Sequence, residues 1–434
     1  MNKRILNLAI PNVISNISIP LLGMIDLAIA GRMESSAAIG ALAIGTAIFN
    51  FIYWNCAFIR MGTSGLTAQA LGARNLAECT HILTRSAAVA LGMGLLLLVF
   101  QKWVGNLSLG LMHGSETVQA MAAEYFFARI WAAPATVSLY AIHGWFIGMQ
   151  NSKLPMAVSI AINVINVVFS LWFVYGYDMG VAGIAWGTVV AQYGGLLLSW
   201  GLWAVYYRRF ARFTDLRRSL KIKPMLKFFD INKDIFLRTA CIVAVYTFFT
   251  SASSGMGDTL LAVNTLLMQL FTLFSYMSDG LAYAAESLVG KFVGARNTTA
   301  LRHCIRNLFY WSLGVALAYV AIYMAGWRGI LSLFTNSQEV IESAGRYVVW
   351  VVLVPLTGFA PFLMDGILLG ATRTRILRNA MFLSLAVFFG VYYGLAGPWG
   401  NNALWLAFIL FMVSRGAIQW WMTDRLRILY AYSS

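Results

Sequence analysis

The sequence contains little charge, and this shortage excludes most classes of soluble protein. Charged residues make up 11% of the 434 residues and hydrophobic residues 60%, whereas soluble domains carry about 25% charged residues. The few charges are mostly basic, with a formal net charge of +15. Because these basic residues lie in short segments between apolar runs, we interpret them as the positive-inside pattern of a membrane protein and expect no nucleic-acid partner.

Sequence motifs for several kinds of chemistry are also missing. No GxxxxGK[ST] phosphate-binding loop, HExxH zinc motif or GxSxG nucleophile elbow occurs in the chain. The four cysteines (Cys56, Cys79, Cys241 and Cys304) form no CxxC pair, which argues against a metal site and a disulfide framework. We therefore expect no enzyme, no bound metal and no cofactor, and an ion gradient becomes the expected source of energy.

Twelve apolar runs are long enough to cross a membrane, since about 20 residues of helix span the hydrocarbon layer. The predicted spans cover residues 5–31, 37–62, 79–101, 117–147, 154–176, 181–207, 231–254, 258–285, 303–326, 340–370, 376–396 and 402–424. The pattern predicts an all-α, polytopic membrane protein. We therefore expect the lipid bilayer to be one of its partners.

The distribution of basic residues indicates which side of the membrane carries the termini. Lys3 and Arg4 precede the first span, and eight further cations lie in the largest connector, residues 208–230. The connectors of the opposite side contain little beyond Arg32, Lys102, Arg328 and Arg346. The positive-inside rule therefore predicts that both termini are cytoplasmic.

The two halves of the chain resemble each other at a constant offset of 222 residues. The paired landmarks are Gly72–Asn75 with Gly294–Asn297, Tyr125 with Tyr347, Gly144 with Gly366, and Gly148 with Gly370. We predict an N-terminal six-helix lobe at 1–207, a basic cytoplasmic linker at 208–230 and a C-terminal six-helix lobe at 231–434. Parallel repeats of this kind place the substrate site in a central cleft between the lobes.

The first span contains one acidic residue, Asp26, and two prolines, Pro11 and Pro20. A charged side chain at this depth costs about 3 kcal/mol or more unless it is paired, hydrated or protonated. Proline lacks a backbone donor and crowds the preceding turn, so each proline is a candidate kink. We interpret Asp26 as a residue that takes up and releases a proton. The alternative is a structural aspartate that caps a neighbouring helix.

Four polar residues in the fifth and sixth spans are candidates to surround Asp26. Asn163, Asn166 and Ser170 are spaced three and four residues apart and therefore share one helix face, and Thr188 lies in the next span. Buried amides and hydroxyls must find hydrogen-bond partners, which a cluster around one acid would supply. The alternative is ordinary hydrogen bonding between neighbouring helices.

Five more residues are candidates for the wall of a substrate cavity: Tyr125, Gln192, Asp279, Glu286 and Asp365. Acidic side chains on such a wall suit a cationic substrate. They could equally pair with the arginines that lie inside apolar runs, namely Arg60, Arg129 and Arg415.

Three segments of the chain resemble the multidrug and toxic compound extrusion (MATE) family, specifically its DinF-like branch. They are the first span from Pro11 to Gly31, the stretch GLTAQALGARN at 65–75 and the stretch DGILLGATR at 365–373. The similarity extends over essentially the whole chain. It implies twelve helices in two lobes around a cleft, a bacterial inner membrane, and export of hydrophobic, often cationic compounds in exchange for protons or sodium.

The resemblance also implies roles for individual residues. The family's first-helix acid corresponds to Asp26, its kink proline to Pro11, its fifth-helix polar pattern to Asn163, Asn166 and Ser170, and its sixth-helix threonine to Thr188. Ser170 is a departure, because close relatives have a carboxylate at that position. A hard cation prefers charged oxygen ligands, so this departure favours protons over sodium as the coupling ion.

The predicted mechanism is proton-driven export by alternating access. Protonation of Asp26 removes its charge, the first helix bends near Pro11, and the cavity that held the substrate shrinks. A sodium-coupled drug antiporter and a flippase of an amphipathic lipid precursor are the alternatives, whereas the missing motifs disfavour a membrane-embedded enzyme. We expect a monomer whose partners are small-molecule substrates and the bilayer.

Overall fold

The computed structural model describes residues 1–33, 36–112, 114–335 and 337–425, and these ranges contain helices and connections but no β-strand. The α-helices are α1 (Asn2–Gly31), α2 (Ser36–Cys56), α3 (Phe58–Gly72), α4 (Leu76–Val99), α5 (Gln101–Gly110), α6 (Glu116–Arg129), α7 (Ala133–Gly148), α8 (Lys153–Leu171), α9 (Gly180–Tyr206), α10 (Leu216–Ser219), α11 (Ile222–Gly255), α12 (Asp258–Gly294), α13 (Thr298–Leu331), α14 (Gln338–Gly345), α15 (Val348–Gly370), α16 (Thr374–Trp399) and α17 (Asn401–Arg425). Short 3₁₀ helices at Ile130–Ala132 and Arg208–Phe213 and a π-helical turn at Trp172–Gly176 complete the list.

Twelve segments of the described chain are long and apolar enough to cross a membrane, which confirms the predicted all-α membrane fold. Four bounds differ from the prediction by eight residues or more. The seventh span begins at Ile222 and not at residue 231, and the eighth ends at Gly294 and not at residue 285. The second span continues to Gly72 and not to residue 62, because α3 begins two residues after α2 ends. The tenth span begins at Val348 and not at residue 340, because α14 is a separate short helix before it.

Residues Ile14–Phe229 form one compact unit. In this unit α8 packs against α9, α2 against α6, and α7 against both α3 and α4. Stacked and edge-on aromatic rings fill the space between α2 and α6, with Phe49 against Phe126 at a centroid distance of 5.2 Å. These helices bury Asn166, Ser170 and Thr188, whereas Asn163 and Gln192 are partly buried.

The second compact unit consists of Met1–Val13 and the described residues from Asp230 onwards. Its α12 packs against α15, and α16 against α17. A buried polar contact joins two of its helices, since Asn264 Nδ2 donates to Asn401 Oδ1 at 2.7 Å and Asn264 Oδ1 accepts from Trp405 Nε1 at 2.9 Å. The unit therefore combines an apolar core with a small number of satisfied polar side chains.

The first helix belongs partly to each unit. It runs without interruption from Asn2 to Gly31, and the division falls between Val13 and Ile14. The sequence prediction placed residues 1–207 together in the first lobe. Residues Met1–Val13 instead pack against α12, where Gly280 has no side chain and a Cβ on it would lie 3.1 Å from the backbone oxygen of Ala9.

The basic segment predicted as a linker is folded. It contains the 3₁₀ helix Arg208–Phe213, α10 and the first turns of α11. The division between the two compact units falls at its end, between Phe229 and Asp230. Residues 208–229 are therefore part of the unit that contains Asp26.

The two Gly-Ala-Arg-Asn motifs have the same local structure. In each, the arginine after the helix has a positive φ, 56° for Arg74 and 54° for Arg296. The next residue then caps the following helix, because Asn75 Oδ1 and Asn297 Oδ1 each accept a hydrogen bond from the backbone N–H three residues later, at 3.0 and 2.9 Å. The shared motif thus encodes one turn between two helices in both halves.

Glycines related by the same offset allow helices to approach closely in each unit. A Cβ would overlap a backbone oxygen of the facing helix at four positions: Gly144 at Arg60, Gly148 at Ser64, Gly366 at Ala282 and Gly370 at Glu286. The facing residues 60 and 282, and 64 and 286, are also 222 apart. The α3–α7 contact and the α12–α15 contact therefore have the same register.

Candidate functional site

Asp26 lies near the end of α1, with 8% of its surface exposed. No described residue donates a hydrogen bond to its Oδ1. An ionised carboxylate in such surroundings carries a desolvation cost that protonation removes. The structure thus places the first-helix acid where a proton can neutralise it without breaking a hydrogen bond to Oδ1.

Arg129, the last residue of α6, is the cation that interacts electrostatically with Asp26. Its Nη1 donates to the hydroxyl of Tyr125. Its guanidinium carbon lies 5.0 Å from the ring centroid of Phe49 and 5.4 Å from that of Tyr125, close enough for cation–π attraction to both rings. The sequence suggested Arg129 only as a partner for acids of the second half, and its electrostatic interaction with Asp26 was not predicted.

Tyr125 belongs to this cluster around Arg129. The side chain is fully buried, and its ring packs edge-on against Phe49 with a centroid distance of 6.5 Å. The ring also lies on the backbone of Gly45, where a Cβ would overlap it. These contacts suit a residue that fixes Arg129, and they leave its predicted place on a cavity wall without support from the geometry.

Three of the four polar residues predicted around Asp26 bind one another. Asn166 Nδ2 donates to Thr188 Oγ1 at 2.9 Å, and Ser170 Oγ donates to Asn166 Oδ1 at 3.4 Å. Thr188 Oγ1 in turn donates to the carbonyl of Ile184 at 3.1 Å. The first of these bonds joins α8 to α9, whereas the other two lie within α8 and within α9. Among the described residues, no hydrogen bond from this group reaches Asp26, so the arrangement corresponds to interhelical bonding.

Asn163 connects the same helix α8 to the first helix. Its Nδ2 donates to the backbone oxygen of Ser18 at 3.1 Å, eight residues before Asp26. The polar residues of the fifth span therefore contact two different helices. Asn163 contacts α1, whereas Asn166 and Ser170 contact α9.

Pro11 is buried within α1, two residues before the helix passes from one compact unit to the other. The helix continues through it without a break. Asn12, the next residue, donates from Nδ2 to the carbonyl of Leu8 at 2.8 Å. The predicted bending point is therefore present in a continuous helix.

Asp365 in α15 is engaged by three donors from two other helices. Its Oδ2 accepts from Arg238 of α11 and Arg415 of α17, and its Oδ1 accepts from Gln419 Nε2 of α17 at 2.7 Å. All four side chains are buried. The contacts favour the pairing alternative, in which an arginine neutralises the acid, over an acid that faces a cationic substrate.

The remaining candidates for the cavity wall occupy different surroundings. Asp279 is partly buried in α12 and interacts electrostatically with Arg238 and Arg415, the same two arginines that bind Asp365. Glu286 has 1% of its surface exposed and lies at the close contact of α12 with α15. Gln192 is partly buried in α9, one turn after Thr188. Asp279 and Glu286 thus belong to the unit of α12, and Gln192 to the unit of Asp26.

Metal ligands are not clustered in the described ranges, where no group of three or more His, Cys, Asp or Glu side chains could hold a metal ion. The four cysteines are all buried as free thiols. The site thus contains a buried acid with Arg129, and a separate group of neutral oxygens and amides that bind one another between α8 and α9.

Comparison with known proteins identifies the family. The MatE family model matches residues 11–172 and 235–393, one segment in each half of the chain. DNA damage-inducible protein F of Escherichia coli K12 is 34% identical over 429 residues, which cover 96% of this chain and 90% of that protein.

Two solved structures have the same fold at low sequence identity. The Vibrio cholerae MATE transporter VcmN in its bent form superposes with a TM-score of 0.86 at 18% identity, covering 100% of this chain and 98% of that one. A MOP-superfamily transporter from Pyrococcus furiosus superposes with a TM-score of 0.83 at 20% identity, covering 100% and 96%. With twelve spans, a family match in each half and this fold, the chain belongs to the MATE family of membrane transporters.

Proposed function

We propose that this protein exports hydrophobic, often cationic compounds in exchange for protons, and that Asp26 is the residue that carries the proton. One observation supports this most strongly. Asp26 is a buried acid whose Oδ1 accepts no hydrogen bond from the described residues and whose charge is opposed by Arg129. Protonation and deprotonation of such a group change its charge with little rearrangement of hydrogen bonds.

Arg129 supplies the force that changes with protonation. When Asp26 is ionised, the guanidinium attracts it across a poorly hydrated region, where charges interact strongly. When Asp26 is protonated, this attraction is lost, while Tyr125 and Phe49 still hold Arg129 in place. The end of α1 that carries Asp26 is then less strongly held toward α6.

The first helix can convert this local change into a larger one. Residues 14–31 of α1 belong to the unit of Asp26, and residues 1–13 belong to the other unit. Pro11 cannot donate a backbone hydrogen bond, so bending near it costs less than elsewhere in the helix. We propose that the protonated protein bends α1 near Pro11 as it alternates access, as the predicted mechanism requires. The bent form of the Vibrio cholerae transporter supports the idea that this fold has more than one shape.

The neutral residues of α8 and α9 favour protons as the coupling ion. Asn166, Ser170 and Thr188 satisfy one another and carry no charge. Hard cations prefer carboxylate oxygens, and Asp26 is outside this hydrogen-bonded group. A sodium site would need these groups to give up their hydrogen bonds to one another, whereas a proton needs only Asp26 itself.

The distribution of basic residues and the origin of the homologue suggest where the protein is located. The homologous Escherichia coli protein is bacterial, and the basic residues concentrate in the terminal segments and in the connector at 208–229. We place the protein in the bacterial inner membrane with both termini in the cytoplasm, as a monomer that takes small-molecule substrates.

Replacement of Asp26 by asparagine tests the role of the acid. Asp26→Asn keeps the shape but cannot exchange a proton, so we expect efflux of a cationic dye to fall to the level of cells without the exporter. Asp178→Asn is the matched control, because Asp178 is an exposed acid outside the spans and its φ of 51° is tolerated by asparagine. Dye efflux is measured in cells that contain equal amounts of each protein in the membrane. Undiminished efflux by Asp26→Asn would rule out the proposed role.

A further inference from the structure

The folded basic segment presents two kinds of side chain on its exposed surface. We define the connector surface as the exposed cations and large apolar residues between positions 208 and 229. They are Arg208, Arg209, Arg212, Arg217, Arg218, Lys221, Lys223 and Lys227, with Leu216, Leu220, Ile222, Leu226 and Phe229. Between positions 208 and 229 the sequence contains eight basic residues and one acidic residue, Asp215. Exposed leucine, isoleucine and phenylalanine beside so many cations are unusual for a surface that faces only water.

The apolar residues of the connector surface form short helical stripes. Ile222, Leu226 and Phe229 are spaced four and three residues apart on α11, so they share one face of that helix. Leu216 and Leu220 have the same relation at α10. Ile222 is 76% exposed and Leu226 62% exposed. A stripe of this kind with cations beside it is typical of a helix at a membrane interface.

Buried contacts fix the connector surface to the rest of its unit. Phe210 has only 1% of its surface exposed, and its ring lies 5.8 Å from that of Trp145. Ser219 is fully buried, and its carbonyl accepts from Arg85 Nε at 2.7 Å while its hydroxyl lies 2.8 Å from His81 Nδ1. These contacts anchor the segment to its unit, while the cations of the segment are exposed.

The length of α11 places this segment at the edge of the membrane. The 34 residues of α11 form a helix about 51 Å long at 1.5 Å per residue, whereas the hydrocarbon layer is about 30 Å thick. Residues 222–229, at the N-terminal end of α11, come shortly after α10, and the whole connector begins where α9 ends at Tyr206. Because α11 is longer than the hydrocarbon layer is thick, residues 222–229 extend beyond that layer to the depth of the lipid headgroups.

We propose that the connector surface binds the headgroups of anionic phospholipids, with its apolar side chains inserted beneath them. The charge of the surface is complementary to phosphate groups, and the exposed stripes match the apolar layer under the headgroups. Zwitterionic headgroups carry no net charge to attract the eight cations. The surface therefore selects for anionic lipid.

Lipid titration of the purified full-length protein in a neutral detergent tests this proposal. Bound lipid is counted by native mass spectrometry, with dioctanoyl phosphatidylglycerol as the anionic probe and dioctanoyl phosphatidylcholine as the neutral one. Each cation near an anionic surface strengthens binding about fivefold. Loss of two such contacts already weakens binding more than about tenfold. We therefore expect the fourfold variant Arg217→Gln, Arg218→Gln, Lys221→Gln and Lys223→Gln to weaken phosphatidylglycerol binding at least about tenfold.

A matched variant separates charge from side-chain identity. Arg217→Lys, Arg218→Lys, Lys221→Arg and Lys223→Arg keep the charge at the same four positions, so their phosphatidylglycerol affinity should stay within about threefold of the original. A second pair, Arg209→Gln with Arg212→Gln, should also weaken binding and gives an independent test if the fourfold variant does not fold. Folding is checked by the melting temperature in phosphatidylcholine.

Three results would overturn the proposal. They are equal affinity for the two lipids, unchanged phosphatidylglycerol affinity in folded glutamine variants, and complete displacement of phosphatidylglycerol by millimolar inorganic phosphate. The last would assign the cations to a small free anion. None of these results depends on dye efflux, so the test is independent of the proposed transport function.

Discussion

Removal of the Asp365 carboxylate tests whether this acid stabilises the fold or receives substrate. Asp365→Asn preserves shape but removes the carboxylate that Arg238 and Arg415 both bind, and leaves them the electrostatic attraction of Asp279. Loss of one partner from a buried ion pair costs about 3–5 kcal/mol. The side chains of Asp365 and Arg415 are only 6% and 2% exposed, so solvent screening does not reduce this figure much.

The expected change in melting temperature follows from this free energy. About 2–4 °C per kcal/mol applies to units of 150–250 residues, so about 3–5 kcal/mol corresponds to a decrease of about 6–20 °C. Tryptophan fluorescence in detergent, recorded at one fixed scan rate because unfolding can be irreversible, measures the change.

An exposed ion pair provides the control for Asp365→Asn. Asp230 pairs with Lys233 and Arg375 at the surface, with its side chain 45% exposed, and such pairs contribute about 0–1 kcal/mol. Asp230→Asn should therefore lower the melting temperature by no more than about 4 °C. An Asp365→Asn protein with an unchanged melting temperature and no dye export would refute the structural role and identify Asp365 as a substrate-binding acid.

Two further substitutions test the first helix and the repeated helix contact. Pro11→Ala restores a backbone donor at a position where proline disfavours a helix by about 3 kcal/mol, so we expect a higher melting temperature with slower dye efflux; unchanged efflux would exclude bending near Pro11. Gly370→Ala places a Cβ against the backbone oxygen of Glu286 and should destabilise the protein by about 1–3 kcal/mol. Gly390→Ala, which has open space in α16, should leave the melting temperature unchanged or raise it, and equal effects of the two glycine substitutions would contradict the close contact.

Local patterns in the sequence were sufficient to predict the fold. Apolar runs longer than about 20 residues define spans because the bilayer leaves a helix few alternatives. The repeated Gly-Ala-Arg-Asn motif predicted related halves, and both copies form the same turn with Arg74 and Arg296 at positive φ. Such signals depend on neighbouring residues and need no knowledge of how distant helices pack.

Partners from distant helices could not be predicted in the same way. The spacing of Asn166 and Ser170 correctly placed them on one face of α8, but only packing shows that Asn166 donates its hydrogen bond to Thr188 of α9. Asp365 illustrates the same limit, because Arg415 was one of several possible partners and Arg238 was not considered. The electrostatic interaction of Asp26 with Arg129 has no signature in the spacing of either residue.

The central claim is that protons, through Asp26, drive export, and gradient-driven efflux from proteoliposomes tests it most directly. Purified protein is reconstituted with a cationic dye, and a proton gradient or a sodium gradient is imposed separately at equal membrane potential. The account predicts that the proton gradient drives dye movement, that the sodium gradient alone does not, and that Asp26→Asn abolishes the proton-driven movement. Sodium-driven movement without any pH gradient, or proton-driven movement that persists in Asp26→Asn, would contradict it.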